Sequence, residues 1–158
     1  MNAVVCINDG DTHNAPVEAV ESKFPYVVEE YALRQDSGGA GQFRGGLGVR
    51  KTVRLLGELA FNSTMERTQC APWGLFGGRD ALANVLAVRR SDGRTETFPN
   101  GKVSGLKLAG GEAYVLQSGG GGGYGSPLER PAEQVAADVR EGYVSLAAAR
   151  TSGHFARS

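Results

Sequence analysis

Two stretches constrain this chain more than any others: DSGGAGQFRGGLGVRK at residues 36–51 and SGGGGGYGSP at residues 118–127. Glycine this dense can cradle a phosphate, or it can let the backbone pass where no side chain fits. The chain has 24 glycines in 158 residues, about twice ordinary usage. The two readings make different demands on what surrounds the glycines.

The phosphate reading fails on its own terms. A dinucleotide fingerprint needs G-x-G-x-x-G leading from a strand into a helix. Counting from Gly39 the sixth position is Arg44, and counting from Gly46 it is Lys51. The cluster leads into a strand-like run, so no helix N-terminus faces an anion. A Walker loop is also missing: Gly101-Lys102 is followed by Val103, and Glu96 stands where the leading glycine belongs. The first cluster therefore reads as a tight connection between strands, with Phe43 anchored in the core and Arg44 reaching outward. The second reads as a flexible linker or structural turn, or as a pocket wall of bare N–H groups, although Tyr124 brings a ring that can pack.

The strands are legible between the glycines. YVVEEYALR (26–34) and GVRKTVRLL (48–56) read as strands. The second sets Val49, Val53 and Leu55 against Arg50, Thr52 and Arg54, with Lys51 the exception on the apolar side. ELAFNST is a third, with Leu59 and Phe61 on one face. NVLAVRR and RTETFP flank Ser91-Asp92-Gly93, a hairpin signal. VSGLKLA and AYVLQS flank a second turn, GGE. AVVCI near the N-terminus reads as one more buried strand. Turns every eight to twelve residues predict a mainly β fold, a sandwich or barrel.

Helices are confined to the ends. APVEAVESKF starts at Pro16 with Glu18 and Glu21 early, and Pro25 ends it. PAEQVAADVREG runs from Pro131 to a stop at Gly142, with Val135 and Val139 at helical spacing, and SLAAAR adds a turn. The expected organisation is a β-rich domain over 1–125 with an N-terminal helix, then a helical tail over 126–158.

Charge and composition exclude some partners. Lys plus Arg and Asp plus Glu are 17 each, and the basic residues are dispersed, so neither nucleic acid nor an anionic membrane is favoured. No apolar run approaches the roughly 20 residues that span a bilayer, and MNAVVCINDGD lacks the features of a signal peptide. Cys6 and Cys70 form no C-x-x-C and read as reduced, buried thiols of a cytoplasmic protein.

Chemistry-bearing groups are few. His13 lies in NDGDTHNAP with Asp9, Asp11 and Asn14, just before a helix. It reads either as a base or metal ligand, or as one more polar residue among helix-capping and turn residues. His154 sits near the terminus. No Ser-His-Asp set and no H-E-x-x-H is visible.

Taken together, GDTHNAPVEAVESKFP, YALRQDSGGAGQFRGGLGVRK, PWGLFGG and GGGGGYGSPLERPAEQVAADVREGYVS resemble the C-terminal region of the hydantoinase B / 5-oxoprolinase family, the N-methylhydantoinase B-type subunits, over about residues 10–149. The resemblance implies an ATP-dependent system that opens cyclic amides such as hydantoins or 5-oxoproline; other relatives carboxylate ketones. It implies a hydantoinase A-type partner that carries ATP and Mg, no cofactor in this chain, and a B-type site for the activated substrate. B-type chains are several times longer, so the expected partners include an upstream B-type portion. The end TSGHFARS also departs from the family's tyrosine-containing tail. The chain is expected to be a C-terminal fragment, small subunit or remnant, inactive alone, or else a non-catalytic assembly module. Asp11 and His13 are the expected polar or proton-handling residues, with Arg44 as an anion contact beside Gly45 and Gly46. No metal ligand is assigned.

Overall fold

The computed structural model describes Asn2 and residues 15–151. The AVVCI segment, Cys6, Asp11, His13 and His154 lie outside the described residues.

A short helix, α1 (Val17–Glu21), begins after Pro16, whose carbonyl accepts from the Ala19 and Val20 N–H groups. Glu21 then ties the helix to the first strand, its Oε1 accepting from the Val28 N–H at 2.7 Å. Among the described residues seven strands come next: β1 (Tyr26–Leu33), β2 (Val49–Leu55), β3 (Leu59–Thr64), β4 (Val85–Arg89), β5 (Thr95–Thr97), β6 (Lys102–Leu108) and β7 (Ala113–Gln117). They form two antiparallel sheets, one ordered β1-β2-β7-β4-β5 and the other β3-β6. Among the described residues the sheets do not close into a barrel, so the sandwich alternative is the one realised. A 3-10 turn (Pro127–Glu129) and helices α2 (Ala132–Arg140) and α3 (Leu146–Thr151) complete the described residues.

The alternation in β2 works as its sequence suggests. Val53 and Leu55 are buried, and Arg50 and Arg54 pair with Glu30 and Glu29 on the other side. Thr52, on the charged side, is buried too and donates to Glu30. Leu55, Val88 and Leu108, from both sheets, form the core, with Tyr26, Phe61 and Tyr114 packed on it. The Phe61 and Tyr114 rings stack across the two sheets at 4.7 Å. Burial raises the pKa of the Tyr114 hydroxyl.

The two turns differ in what they connect. Ser91-Asp92-Gly93 closes the β4–β5 hairpin, with Gly93 at φ 84° and Asp92 accepting from the Arg94 N–H. The GGE turn joins β6 to β7, which belong to different sheets, so it is an arch between the layers. Glu112 caps it by accepting from the Ala109 N–H at 3.0 Å and from Arg90 at 3.2 Å.

The glycine stretches form a third structural feature. Residues 38–48, 73–79 and 119–125 lie against one another and bond backbone to backbone. Gly39 N–H donates to Gly121 O, Gly121 N–H to Gly46 O, Gly123 N–H to Arg79 O, and Leu75 N–H to Gly123 O, all at 2.8–2.9 Å. The segments are too close for side chains. A Cβ on Gly45 would sit 1.8 Å from Gly121 O, and one on Gly122 would sit 1.9 Å from Trp73 O. The five-glycine run is thus a packed layer of backbone, not a free spacer. Glycine is required at Gly119, Gly120, Gly122 and Gly123 because carbonyl oxygens occupy the space a methyl group would need.

Candidate functional site

A small cleft opens between this glycine layer and the C-terminal helices. Asp36, Gly38, Ala40, Gly41 and Arg44 line one side, and Arg130, Val135, Asp138, Val144 and Ala148 the other. Its polar centre is a three-membered ion cluster. Arg44 Nε meets Asp138 Oδ2 at 3.1 Å, and Arg130 Nη2 meets the same oxygen at 2.8 Å. Arg44 Nη2 reaches Asp138 Oδ1 at 3.4 Å.

The rest of each guanidinium is engaged by backbone and neighbours. Arg44 Nη1 donates to Gly45 O at 2.7 Å, and its carbon lies 5.5 Å from the Tyr143 ring centre. Arg130 Nη1 donates to Gln42 O at 3.1 Å, while its Nε is buried with no partner. Asn2 bridges Arg44 and the Leu47 N–H. On the glycine-layer side, Asp36 holds a left-handed φ of 60° and caps α3 through the Ser145 N–H at 2.7 Å. The loop after α2 returns through Tyr143 and Val144 N–H groups onto Asp138 O.

This arrangement inverts one expectation. Arg44 does not reach outward; its side chain is only 12% exposed and locked to Asp138. Phe43 is not a core anchor; it is 63% exposed and its ring lies 6.2 Å from that of Tyr124. The reason is backbone pairing. Phe43 and Tyr124 exchange N–H···O bonds at 3.0 Å, which turns Phe43 to the surface and aims the next residue at α2. Gly45 is buried under Gly121, and Gly46 accepts the Gly121 N–H. The Gly39, Gly45, Gly121 and Gly123 amides thus donate to carbonyls of the layer itself, while those of Gly48 and Gly119 donate to Ser37 and Asn84 side chains, and the chain continues into β2 rather than a helix.

The sequence reading missed Arg130 and Asp138. A signal was present: Asp138 stands three residues after Val135, on the stripe of α2 that faces inward, and both are buried. An acid on an apolar stripe requires a cationic partner. Arg34 is a further, half-buried cation. Arg34 Nη1 donates to Ala83 O and Ser118 O, and burial, with Arg50 nearby, lowers its pKa. Cys70 is free and exposed rather than buried. Among the described residues no group of three His, Cys, Asp or Glu side chains is placed to hold a metal, and no helix is long and apolar enough to cross a membrane.

Residues 1–127 match the family model described as hydantoinase B/oxoprolinase. The chain belongs to the hydantoinase B/oxoprolinase family. An uncharacterised protein of Methanocaldococcus jannaschii is 35% identical over 136 residues, 86% of this chain and 24% of its own length. The caprolactamase subunit beta of Pseudomonas jessenii is 35% identical over 146 residues, covering 89% of this chain and 25% of that subunit. A solved structure of the ATP-dependent caprolactamase from the same organism superposes with a TM-score of 0.69 at 33% identity, over 85% of this chain and 24% of that one. The nucleotide-free acetone carboxylase structure gives 0.74 at 22% identity, over 88% of this chain and 22% of that one, a likeness of fold. This hydantoinase B-type region thus spans about a quarter of the length of these relatives.

Proposed function

We propose that this chain supplies the glycine-framed sandwich of a B-type subunit in an ATP-dependent cyclic amidohydrolase, and that it is inactive by itself. The observation that carries the reading is the family match over residues 1–127, supported by likeness to a caprolactamase subunit and to an ATP-dependent caprolactamase structure. Its partners would be the rest of a B-type polypeptide and an A-type subunit that holds ATP and Mg. The substrate class is a cyclic amide of the hydantoin, 5-oxoproline or lactam kind.

In this reading the chain contributes residues at the edge of the substrate site. Asp11 and His13 handle protons, since an imidazole next to carboxylates can titrate near neutral pH. Arg44, Gly45 and Gly46 form an anion-facing edge. Arg44 acts there as a cation fixed in place by Asp138 rather than as a mobile arm.

The test is reconstitution. The 158-residue chain is combined with a B-type polypeptide lacking the matched quarter and with an A-type subunit, and ATP-dependent opening of hydantoin, 5-oxoproline and caprolactam is measured. Ring opening that needs all three components supports the reading. Ring opening by the isolated chain, or none in the assembled complex, refutes it. Unchanged turnover with His13→Ala removes His13 from the chemistry.

A second reading, a non-catalytic assembly module, is favoured by one observation. Arg44 and Arg130 are both tied to Asp138, and the Gly39, Gly45, Gly121 and Gly123 amides bond within the layer. Full turnover in a complex carrying both His13→Ala and Asp11→Asn selects this alternative.

A further inference from the structure

The glycine layer carries an aromatic surface that the fold itself does not use. Phe43, Leu75, Phe76 and Tyr124 are all exposed, Phe76 most of all at 77%. They are contiguous: the Phe76 and Tyr124 ring centres are 5.1 Å apart, and those of Phe43 and Tyr124 6.2 Å. Leu75 and Phe43 are the two backbone-bridge partners of Tyr124. Pairs of bridged residues point the same way, so Phe43, Leu75 and Tyr124 share one face, and the Phe76 ring joins them beside that of Tyr124.

Two features separate this patch from scattered surface apolars. First, Phe76 sits at φ 50°, a region that bulky residues rarely adopt and that clusters at ligand clamps and binding sites. The ring gains little burial in return. Second, the platform beneath is stiff. Phe43 and Tyr124 bond each other, Leu75 donates to Gly123 O, and Gly125 donates to Leu75 O. A preorganised aromatic surface loses little freedom when it is covered. By contrast, the β1–β2–β4 surface is built for water, with Glu29 bridging Arg54 and Arg89 and Glu30 meeting Arg50.

We propose that this aromatic face docks the part of a B-type polypeptide that lies outside the matched region. The occupant is argued from length. The relatives are about four times as long as the segment matched here, so three-quarters of each relative's chain must be accommodated around a unit of this kind. Large exposed apolar patches mark protein contacts, and aromatic residues dominate the energetics of such contacts. The inference rests on the B-type reading above and names the surface through which that assembly forms.

The probe is the Pseudomonas jessenii caprolactamase subunit beta with its matching quarter deleted, titrated with the full 158-residue chain. Two variants remove rings without disturbing the fold: Phe76→Asn, because Asn tolerates a left-handed φ, and Phe43→Thr at a paired, exposed position. Both are checked for unchanged thermal melting. Binding of the unaltered chain, weakened about thirtyfold or more by each variant, is expected. No binding, or binding that both variants leave intact, overturns the proposal. So does self-association of the chain that the variants abolish and the probe does not displace. Adding an A-type subunit separates the two claims. Ring opening restored equally by wild type and variants sinks the surface but keeps the function, whereas variant-sensitive binding without ring opening does the reverse.

Discussion

A single methyl group on Gly45 tests the idea that the glycine layer is held together by direct backbone contact. The Cβ of Gly45→Ala would lie 1.8 Å from Gly121 O, where a comfortable C···O contact is about 3.3–3.6 Å. The two segments would have to part by roughly 1.5 Å, the difference between those distances. That movement breaks the Gly39–Gly121 and Gly121–Gly46 hydrogen bonds, each worth about 1 kcal/mol net. Forced overpacking adds about 1–3 kcal/mol. The expected loss is therefore about 3–5 kcal/mol, a large share of the roughly 5–15 kcal/mol that holds a domain together. In urea titration, with a slope of about 2 kcal/mol per molar, the midpoint falls by about 1.5–2.5 M. Gly57→Ala is the control. Its Cβ would find only Pro25 at 3.9 Å, an ordinary contact, so its stability stays within about 0.5 kcal/mol of the parent. If Gly45→Ala unfolds at the same urea concentration as Gly57→Ala, the steric account of the layer is wrong.

Three further outcomes are expected. Asp138→Asn leaves Arg44 and Arg130 facing each other with side chains only 12–14% exposed, and lowers stability by about 3 kcal/mol; adding Arg44→Ala then costs clearly less than it does in the parent, which a double-mutant cycle reads. Ser37→Ala strips the buried acceptor of the Gly48 N–H and the donor to Arg34 O, lowering stability by about 1–3 kcal/mol in chemical denaturation. The Ala109 N–H and the Arg90 guanidinium hold the Glu112 carboxyl below its ordinary value of 4.5. That contribution is fully present above pH 4.5 and is lost as pH falls through the lowered value, so stability measured from about pH 6 down to about 3 declines in the parent and declines less steeply in Glu112→Gln.

The strands were readable because period-two alternation is a local signal. Val53 and Leu55 against Arg50 and Arg54 identify both the strand and its faces without knowledge of any partner. The Asp92-Gly93 turn was readable for the same reason, since its chemistry is complete within a few neighbouring residues. The glycine layer was not, because what makes Gly45 and Gly122 glycine is a carbonyl on another segment, about 76 positions away for Gly45 and 49 for Gly122, counting from Gly121 and Trp73. Composition alone could not distinguish a spacer from a packed layer. The positions of Phe43 and Arg44 were exchanged in the sequence reading for a related reason. A phenylalanine is assigned to the core by its polarity, yet the bridge to Tyr124 fixes which way the residue points. Asp138 shows the complementary case, an acid whose misplacement on an apolar stripe was visible but whose partners were not.

The layer also dictates an order of events during synthesis and refolding. Its three parts are separated by β2 to β7, so none of the Gly121 or Gly123 bonds can form before β7 has been made. Contacts of such long sequence separation form slowly, because loop closure has to precede any compensating interaction. A chain emerging from the ribosome therefore completes the aromatic face, which includes Tyr124, only after all seven described strands have been made.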